Sequence, residues 1–298
     1  MRKKIYLHLS GGIGNQLFQY AVAKNLSIIN NAELILDKTT GFITDLKFKR
    51  KYSLNHVETL KNKSSNVFIF FLFRLFKKLF FSKQLFYKFF NIKIIDEYYS
   101  FGRFHPEIIE VKFDKKLYLL GLFQSEKYFK QNKKIIVDEI FPKEPKNINY
   151  IKQASKIDDK SVAVCIRNFE DLSKKSYSTV GGVNDHTFYE NSLKLYLDKI
   201  HNPKFYFFST NKKNIQSIIY KIDLLNKHEK IIITHETGFK NDIDTLWLMS
   251  KFQNFIISNS TFYWWGAYFA NIRSNKTQII SSMKFPNIDT NQKNWIVI

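Results

Sequence analysis

Three segments carry residue types and spacings that could do chemistry. The first, Gly11-Gly12-Ile13-Gly14-Asn15-Gln16, follows an apolar run at Ile5 to Leu9 and opens a helical pattern with Leu17, Phe18, Ala21, Val22 and Leu26 on one side. Glycines at such a turn let the backbone approach a ligand closely, and the helix start offers unpaired N–H groups to an anion. The spacing is not a dinucleotide fingerprint, because Leu17 stands where the third glycine is needed, and no Gly-Lys-Ser/Thr follows to make a phosphate loop. A glycine turn used only for tight packing is the plainer alternative, although Asn15 and Gln16 add polar groups that packing does not require.

The second segment, Val162 to Leu172, is an apolar strand that ends in Arg167, Glu170 and Asp171. A guanidinium there could hold a diphosphate leaving group through paired hydrogen bonds, while a carboxylate takes the proton of an attacking hydroxyl. A solvated strand end or an internal ion pair would look the same. The third, Asp242 to Ala270, reads as helix, buried strand, the turn Ser258-Asn259-Ser260-Thr261, and a second helix. Hydroxyl residues at a helix start serve equally as caps and as phosphate donors. Trp264, Trp265 and Tyr268 read as core rather than as a sugar platform. Asp242 and Asp244 form a D-x-D pair, read here as helix-start carboxylates that suit the dipole rather than as metal ligands.

The elements that must position these segments alternate short β-branched or aromatic runs with helical patterns, which predicts an α/β architecture with mainly parallel strands. Strands are expected at Ile5 to Leu9, Glu33 to Leu36, Leu117 to Leu120, Val162 to Ile166, Phe205 to Phe208, Ile231 to Thr234, Phe255 to Ser258 and Gln278 to Ser281. Between Phe141 and Asp158 the chain turns polar, with Pro142 and Pro145, so a boundary is placed there: domains 1–150 and 151–298. Ligands of the C-terminal sheet are expected at the carboxyl ends of its strands.

At 298 residues and 44% apolar content the chain can bury one large core or two smaller ones. Its formal net charge of +21 suits a polyanion, a phosphate-bearing substrate or an anionic membrane. Much of the excess is Lys, accompanied by heavy use of Ile, Asn and Phe, a usage that an AT-rich genome produces without selection for binding. The single cysteine, Cys165, excludes a disulfide framework or a thiolate cluster built from one chain. A nucleic-acid binder would interleave aromatics with Arg, which is scarce here. The basic, Phe-rich stretch from Val67 to Ile95 holds no acid, and its apolar run is broken by Arg74, Lys77 and Lys78, so it should not span a bilayer. It reads as a helical pair on the core or as an interfacial segment on anionic lipid. No signal-peptide pattern is found, so a cytoplasmic protein is expected, with peripheral contact at the inner face of the membrane.

Together the motifs resemble glycosyltransferase family 11, the α-1,2-fucosyltransferases, which carry a G-G-x-G-N-Q-x-F-Q-Y opening and an N-S-T/S-F-x-W-W-G-A block. The stretch Gly121 to Phe129, GLFQSEKYF, is also similar to a segment of that family. The resemblance implies a glycosyltransferase B-like fold: two Rossmann-like layers, with the nucleotide-binding sheet in the C-terminal half. It also implies inverting transfer without metal or other cofactor. The donor would be GDP-fucose and the acceptor O2 of a terminal galactose on a glycan, lipid-linked in a bacterial surface-polysaccharide or lipopolysaccharide pathway. By the match, Arg167 neutralises the leaving group, with Glu170 or Asp171 as base. Gly12, Gly14, Asn15, Gln16, Cys165, Asp244, Asn259, Ser260, Thr261 and Phe262 contact substrate, Asp244 taking the guanine. The central motif departs from the family's H-x-R-R-x-D: Cys165, Ile166, Arg167, Asn168, Phe169 and Glu170 stand there, and Ser209-Thr210-Asn211 replaces an acidic pair. Those departures keep open a different GDP-sugar donor, or a catalytically inactive sugar-binding relative.

Overall fold

A computed structural model describes residues 2–43, 45–46, 48–60, 91–99, 102–169 and 180–298. The chain forms two compact units, Met1–Ile140 and Phe141–Ile298. The division expected at 150/151 falls inside the helix Ile148–Ala154, which lies in the second unit.

In the first unit the elements run β1 (Lys4–His8), α1 (Ile13–Ile29), β2 (Glu33–Asp37), α2 (Thr40–Ile43), β3 (Ile92–Asp96), α3 (Pro106–Ile109), β4 (Lys116–Leu120) and α4 (Lys133–Ile140). The sheet order is β2-β1-β4-β3, every pair parallel. Parallel strands buried on both faces read as continuous apolar runs, as Leu7, Leu36, Leu117 and Leu119 do at full burial. Helix α1 is buried nearly all round, and Leu17, Phe18, Ala21, Val22 and Leu26 are fully enclosed. From β1 the chain steps to β2 on one side, and β4 flanks the other. The switch point therefore lies between β1 and β4, where the loops that follow them diverge.

The second unit continues with α5 (Ile148–Ala154), β5 (Ser161–Cys165), α6 (His186–Leu197), β6 (Lys204–Phe208), α7 (Lys212–Ile219), β7 (Lys230–Ile233), α8 (Asp242–Met249), β8 (Asn254–Ile257), α9 (Thr261–Arg273), β9 (Gln278–Ser281) and β10 (Ile296–Val297). Its sheet, β10-β9-β8-β5-β6-β7, is also parallel throughout. Central strand β5 is buried along its whole length. The register pairs Cys165 with Phe208 and with Ile257, and Ile257 with Ser281, so four strands end level at one edge. Successive strands step from β5 to β6 and β7, then return to β8 on the other side, which puts this sheet's switch point between β5 and β8.

The tryptophan block is core, as read from the sequence. Trp264, Trp265 and Tyr268 are fully buried, with Trp264 stacked on Tyr268 at 4.5 Å between ring centroids. A Cβ on Gly266 would come within 2.4 Å of Met249 Cε, so glycine is what lets α9 lie this close to α8. One expectation is corrected: the helical reading of Val67 to Ile95 fails at its end, because Ile92–Asp96 is strand β3. Its β-branched residues Ile92 and Ile94 pack beside Tyr6, Tyr118 and Leu120, on a face that sheet pairing supplies and helical periodicity cannot. The rest of that stretch, residues 61–90, lies outside the described residues. No helix among the described residues is long and apolar enough to cross a membrane.

Candidate active site

At the carboxyl edge of the first unit, the glycine turn and the Gly121 to Phe129 segment flank the β1–β4 switch point and are hydrogen-bonded to each other. Gln124 Nε2 donates to Asn15 Oδ1 at 2.9 Å, and Gln19 Nε2 donates to the Gly121 carbonyl at 2.9 Å. Gly11 sits at φ +75°, a left-handed conformation in which a Cβ would also press on the Asn15 amide. Gly12 is the N-cap of α1 and brings no side chain to the helix start, while Gly14 is buried in the first turn. Glu97, almost fully buried after β3, accepts from Leu122 N–H at 2.8 Å, and burial pushes its carboxyl above the usual range. His8 and Asp37 tie the ends of β1 and β2 together at 3.1 Å. Burial alone would raise the Asp37 carboxyl, but hydrogen bonds from His8 and Thr40 outweigh it and leave it below its ordinary value.

Gln16 is spent on the fold. Fully buried, it donates to the carbonyls of Gly11 and Lys51, both at 2.9 Å, and accepts from Ser53 N–H at 2.9 Å. It clamps the chain following β2 to the start of α1.

In the second unit the Arg167 loop and the Ser258-to-Thr261 turn leave β5 and β8 on either side of the switch point. Arg167 is half-buried, and its guanidinium lies over the Phe169 ring at 4.9 Å. The strand end behind it is fastened by Tyr263, whose hydroxyl donates to the carbonyls of Ile166 and Phe208 at 3.1 and 3.2 Å. Tyr263 is a positioning residue that the sequence motif contains but does not single out. Asn168, where the family's second arginine stands, turns to α7 and makes long bonds of 3.4 Å to Asn214 Oδ1 and Ser217 Oγ. Cys165 is fully buried at the end of β5, and burial holds its thiol well above the ordinary range. Glu170 and Asp171 lie outside the described residues.

Ser260 is the N-cap of α9 and its hydroxyl makes no capping bond, unlike Asn211, Asp185 and Asn241 at the starts of α7, α6 and α8. Ser260, Thr261 and Phe262 are half-buried at this helix start. Asn259 is different. It is buried, its amide donates to the carbonyls of Val180, Gly182 and Lys284 at 2.6, 3.0 and 3.1 Å, and it accepts from Asn184 at 3.0 Å. It therefore gathers two loops behind the α9 start. Asn211, in the place of the family's acidic pair, accepts from Asn214 N–H at 2.9 Å as the cap of α7. Asp242 and Asp244 occupy the first turn of α8, and partial burial pushes the Asp244 carboxyl upward. No cluster of three or more His, Cys, Asp or Glu side chains able to hold a metal exists among the described residues.

Each unit thus presents two sequence motifs at the switch point of a parallel sheet, the place where such sheets bind ligands. Over 281 residues, 90% of this chain and 88% of the relative, the sequence is 28% identical to the alpha-1,2-colitosyltransferase of Escherichia coli. Over 280 residues, 89% of either protein, it is 24% identical to the O-antigen biosynthesis glycosyltransferase WbnK of Escherichia coli. Among solved structures, a mutant of Arabidopsis thaliana FUT1 in complex with GDP matches with a TM-score of 0.51 and 11% identity, over 91% of this chain and 69% of that one. NodZ alpha-1,6-fucosyltransferase soaked with GDP-fucose matches with a TM-score of 0.50 and 9% identity, over 90% of this chain and 93% of that one. At such identities the likeness shows the fold, glycosyltransferase B-like with parallel α/β sheets. The sequence profile of glycosyl transferase family 11 matches residues 2–298, through the glycine turn, the Arg167 strand and the tryptophan helix alike, and this chain belongs to that family.

Proposed function

We propose that the protein transfers L-fucose from GDP-fucose, with inversion, to a hydroxyl of an acceptor glycan, O2 of a terminal galactose being the first candidate. The observation that carries this reading is the pairing of Arg167 with the α9 start across the β5–β8 switch point. In the reaction the bond from C1 to the β-phosphate oxygen breaks, and its electron pair leaves with GDP. The acceptor oxygen forms the new bond to C1 from the opposite face and gives up its proton. Arg167 and the N–H groups of the α9 start stabilise the charge on the departing diphosphate, with the Ser260 and Thr261 hydroxyls beside them. Asp244 takes the guanine, Gly12, Gly14 and Asn15 contact substrate, and Glu170, with Asp171 as the alternative, receives the proton.

The name of the relative WbnK supports an acceptor in O-antigen assembly, which is part of lipopolysaccharide synthesis. The colitosyltransferase favours a second reading of the donor, since colitose is the 3-deoxy form of fucose and the same diphosphate chemistry would move it. The discriminating experiment offers GDP-fucose and GDP-colitose in competition to the purified enzyme with a galactose-terminated acceptor, and reads the product by mass spectrometry. A deoxyhexose adduct supports the first reading and a dideoxyhexose adduct the second. Binding of either donor with no product under any acceptor would identify an inactive relative.

A further inference from the structure

We propose that His8, oriented by Asp37, is a binding residue for the acceptor glycan, its Nε2 accepting a hydrogen bond from a sugar hydroxyl at the carboxyl edge of the first unit. The inference rests on the reading of a glycan acceptor above and concerns the first unit alone. His8 ends β1 and Asp37 ends β2, and the parallel register sets them side by side. Asp37 is fully buried. Its Oδ1 accepts from the backbone N–H groups of Thr39 and Thr40 at 3.0 and 2.8 Å, while its Oδ2 accepts from the Thr40 hydroxyl and faces His8 Nδ1 at 3.1 Å.

These partners decide which ring nitrogen carries the proton. Burial alone would raise the Asp37 carboxyl, but its bonds to His8 and Thr40 leave it below its ordinary value, so it is a carboxylate and only accepts. The Thr40 hydroxyl, 3.3 Å from Nδ1, directs its own proton at Asp37. Nδ1 is therefore the donor, and in the neutral ring the lone pair is on Nε2. Nε2 has no hydrogen-bond partner among the described residues, although the side chain is only 10% exposed. An enclosed acceptor left without a donor costs free energy until a ligand supplies one. A lone pair repels phosphate oxygens and attracts an O–H, so the ligand class is a neutral, hydroxyl-bearing molecule. The chain two residues on has the same character. Ser10 Oγ shares a 2.8 Å hydrogen bond with the hydroxyl of Tyr98, whose ring is 42% exposed and offers a face to the apolar side of a pyranose.

The test is titration of the full chain, without donor, using a galactose-terminated oligosaccharide and analogues in which each galactose hydroxyl is replaced in turn by hydrogen. One analogue should bind wild type about 10-fold more weakly than the parent sugar, because it leaves Nε2 unsatisfied. His8→Phe keeps a ring and leaves Asp37 its three donors from Thr39 and Thr40, and it should bind that analogue and the parent equally. His8→Gln, whose amide can donate to Asp37 and still present an oxygen, should restore part of the difference. In wild type labelled with ¹⁵N-histidine, the His8 Nε2 resonance should shift on glycan binding while Nδ1 stays in place. Unchanged discrimination among the analogues in His8→Phe, or a bound glycan that leaves Nε2 unmoved, overturns the proposal, as does failure of every neutral glycan tried to move it. A glycan without galactose that moves Nε2 retains the site and discards the choice of acceptor. His8-dependent binding in a chain that transfers no sugar retains it and discards the transfer reading.

Discussion

Replacing Asn259 by alanine separates a residue that builds the site from one that binds substrate. Its amide serves the carbonyls of Val180, Gly182 and Lys284, and its oxygen takes the Asn184 amide, all in a buried setting. A net bond is worth about 1 kcal/mol, and a buried group left unsatisfied costs about 1–3 kcal/mol, so the truncation should cost about 3 kcal/mol once water has partly filled the gap. For a cooperative unit of this size that corresponds to roughly 6–10 °C in melting temperature. Asn259→Asp should do more harm, because a carboxylate aims negative charge at three carbonyl oxygens and has no N–H to offer them. The assay is a thermal melt followed by circular dichroism, paired with donor KM and kcat on protein that remains folded. An Asn259→Ala melt within about 2 °C of wild type, combined with a large rise in donor KM, would refute the reasoning and return Asn259 to the ligand.

Other outcomes follow from the same structure. Glu139 accepts hydrogen bonds from Tyr20 and Lys24 at 2.6 and 3.2 Å and one from Thr59; burial alone would raise its carboxyl, but these bonds leave it below its ordinary value. Its contribution is then present above the unfolded-state pKa of about 4.3 and lost as pH falls through the lower folded value, so urea denaturation should show Glu139→Gln penalised at neutral pH and nearly equal to wild type in acid. EDTA should leave transfer unchanged, since the diphosphate charge is assigned to arginine and helix N–H groups; loss of activity restored by Mg²⁺ or Mn²⁺ would reassign Asp242 and Asp244 as ligands. The basic stretch from Val67 to Ile95 is expected to bring the enzyme to anionic vesicles at low salt and release it at high salt. Equal recovery with neutral vesicles, or none with either, would remove that membrane contact.

Much of this was legible in the sequence because the informative signals were local. The glycine turn, the apolar strands and the helix behind Ser260 follow from runs of residue types that only one local structure satisfies. What was missed depends on which way a side chain turns. Gln16 and Asn259 are short amides inside conspicuous motifs, and the carbonyls they bond are brought near by distant parts of the chain, which no local pattern reveals. Strand β3 was hidden because its isoleucines continue a Phe-rich run, and only pairing with β4 gives them a period of two.

The central claim is most directly tested by GDP release from GDP-fucose, measured with and without a galactose-terminated acceptor, for wild type and for Arg167→Lys. The account predicts acceptor-dependent release by wild type with a deoxyhexose added to the acceptor. In the variant, release should be lower by about 100-fold with an unchanged melting temperature, because an ammonium cannot reproduce the planar fork at the departing diphosphate. Near-normal turnover by Arg167→Lys would contradict it.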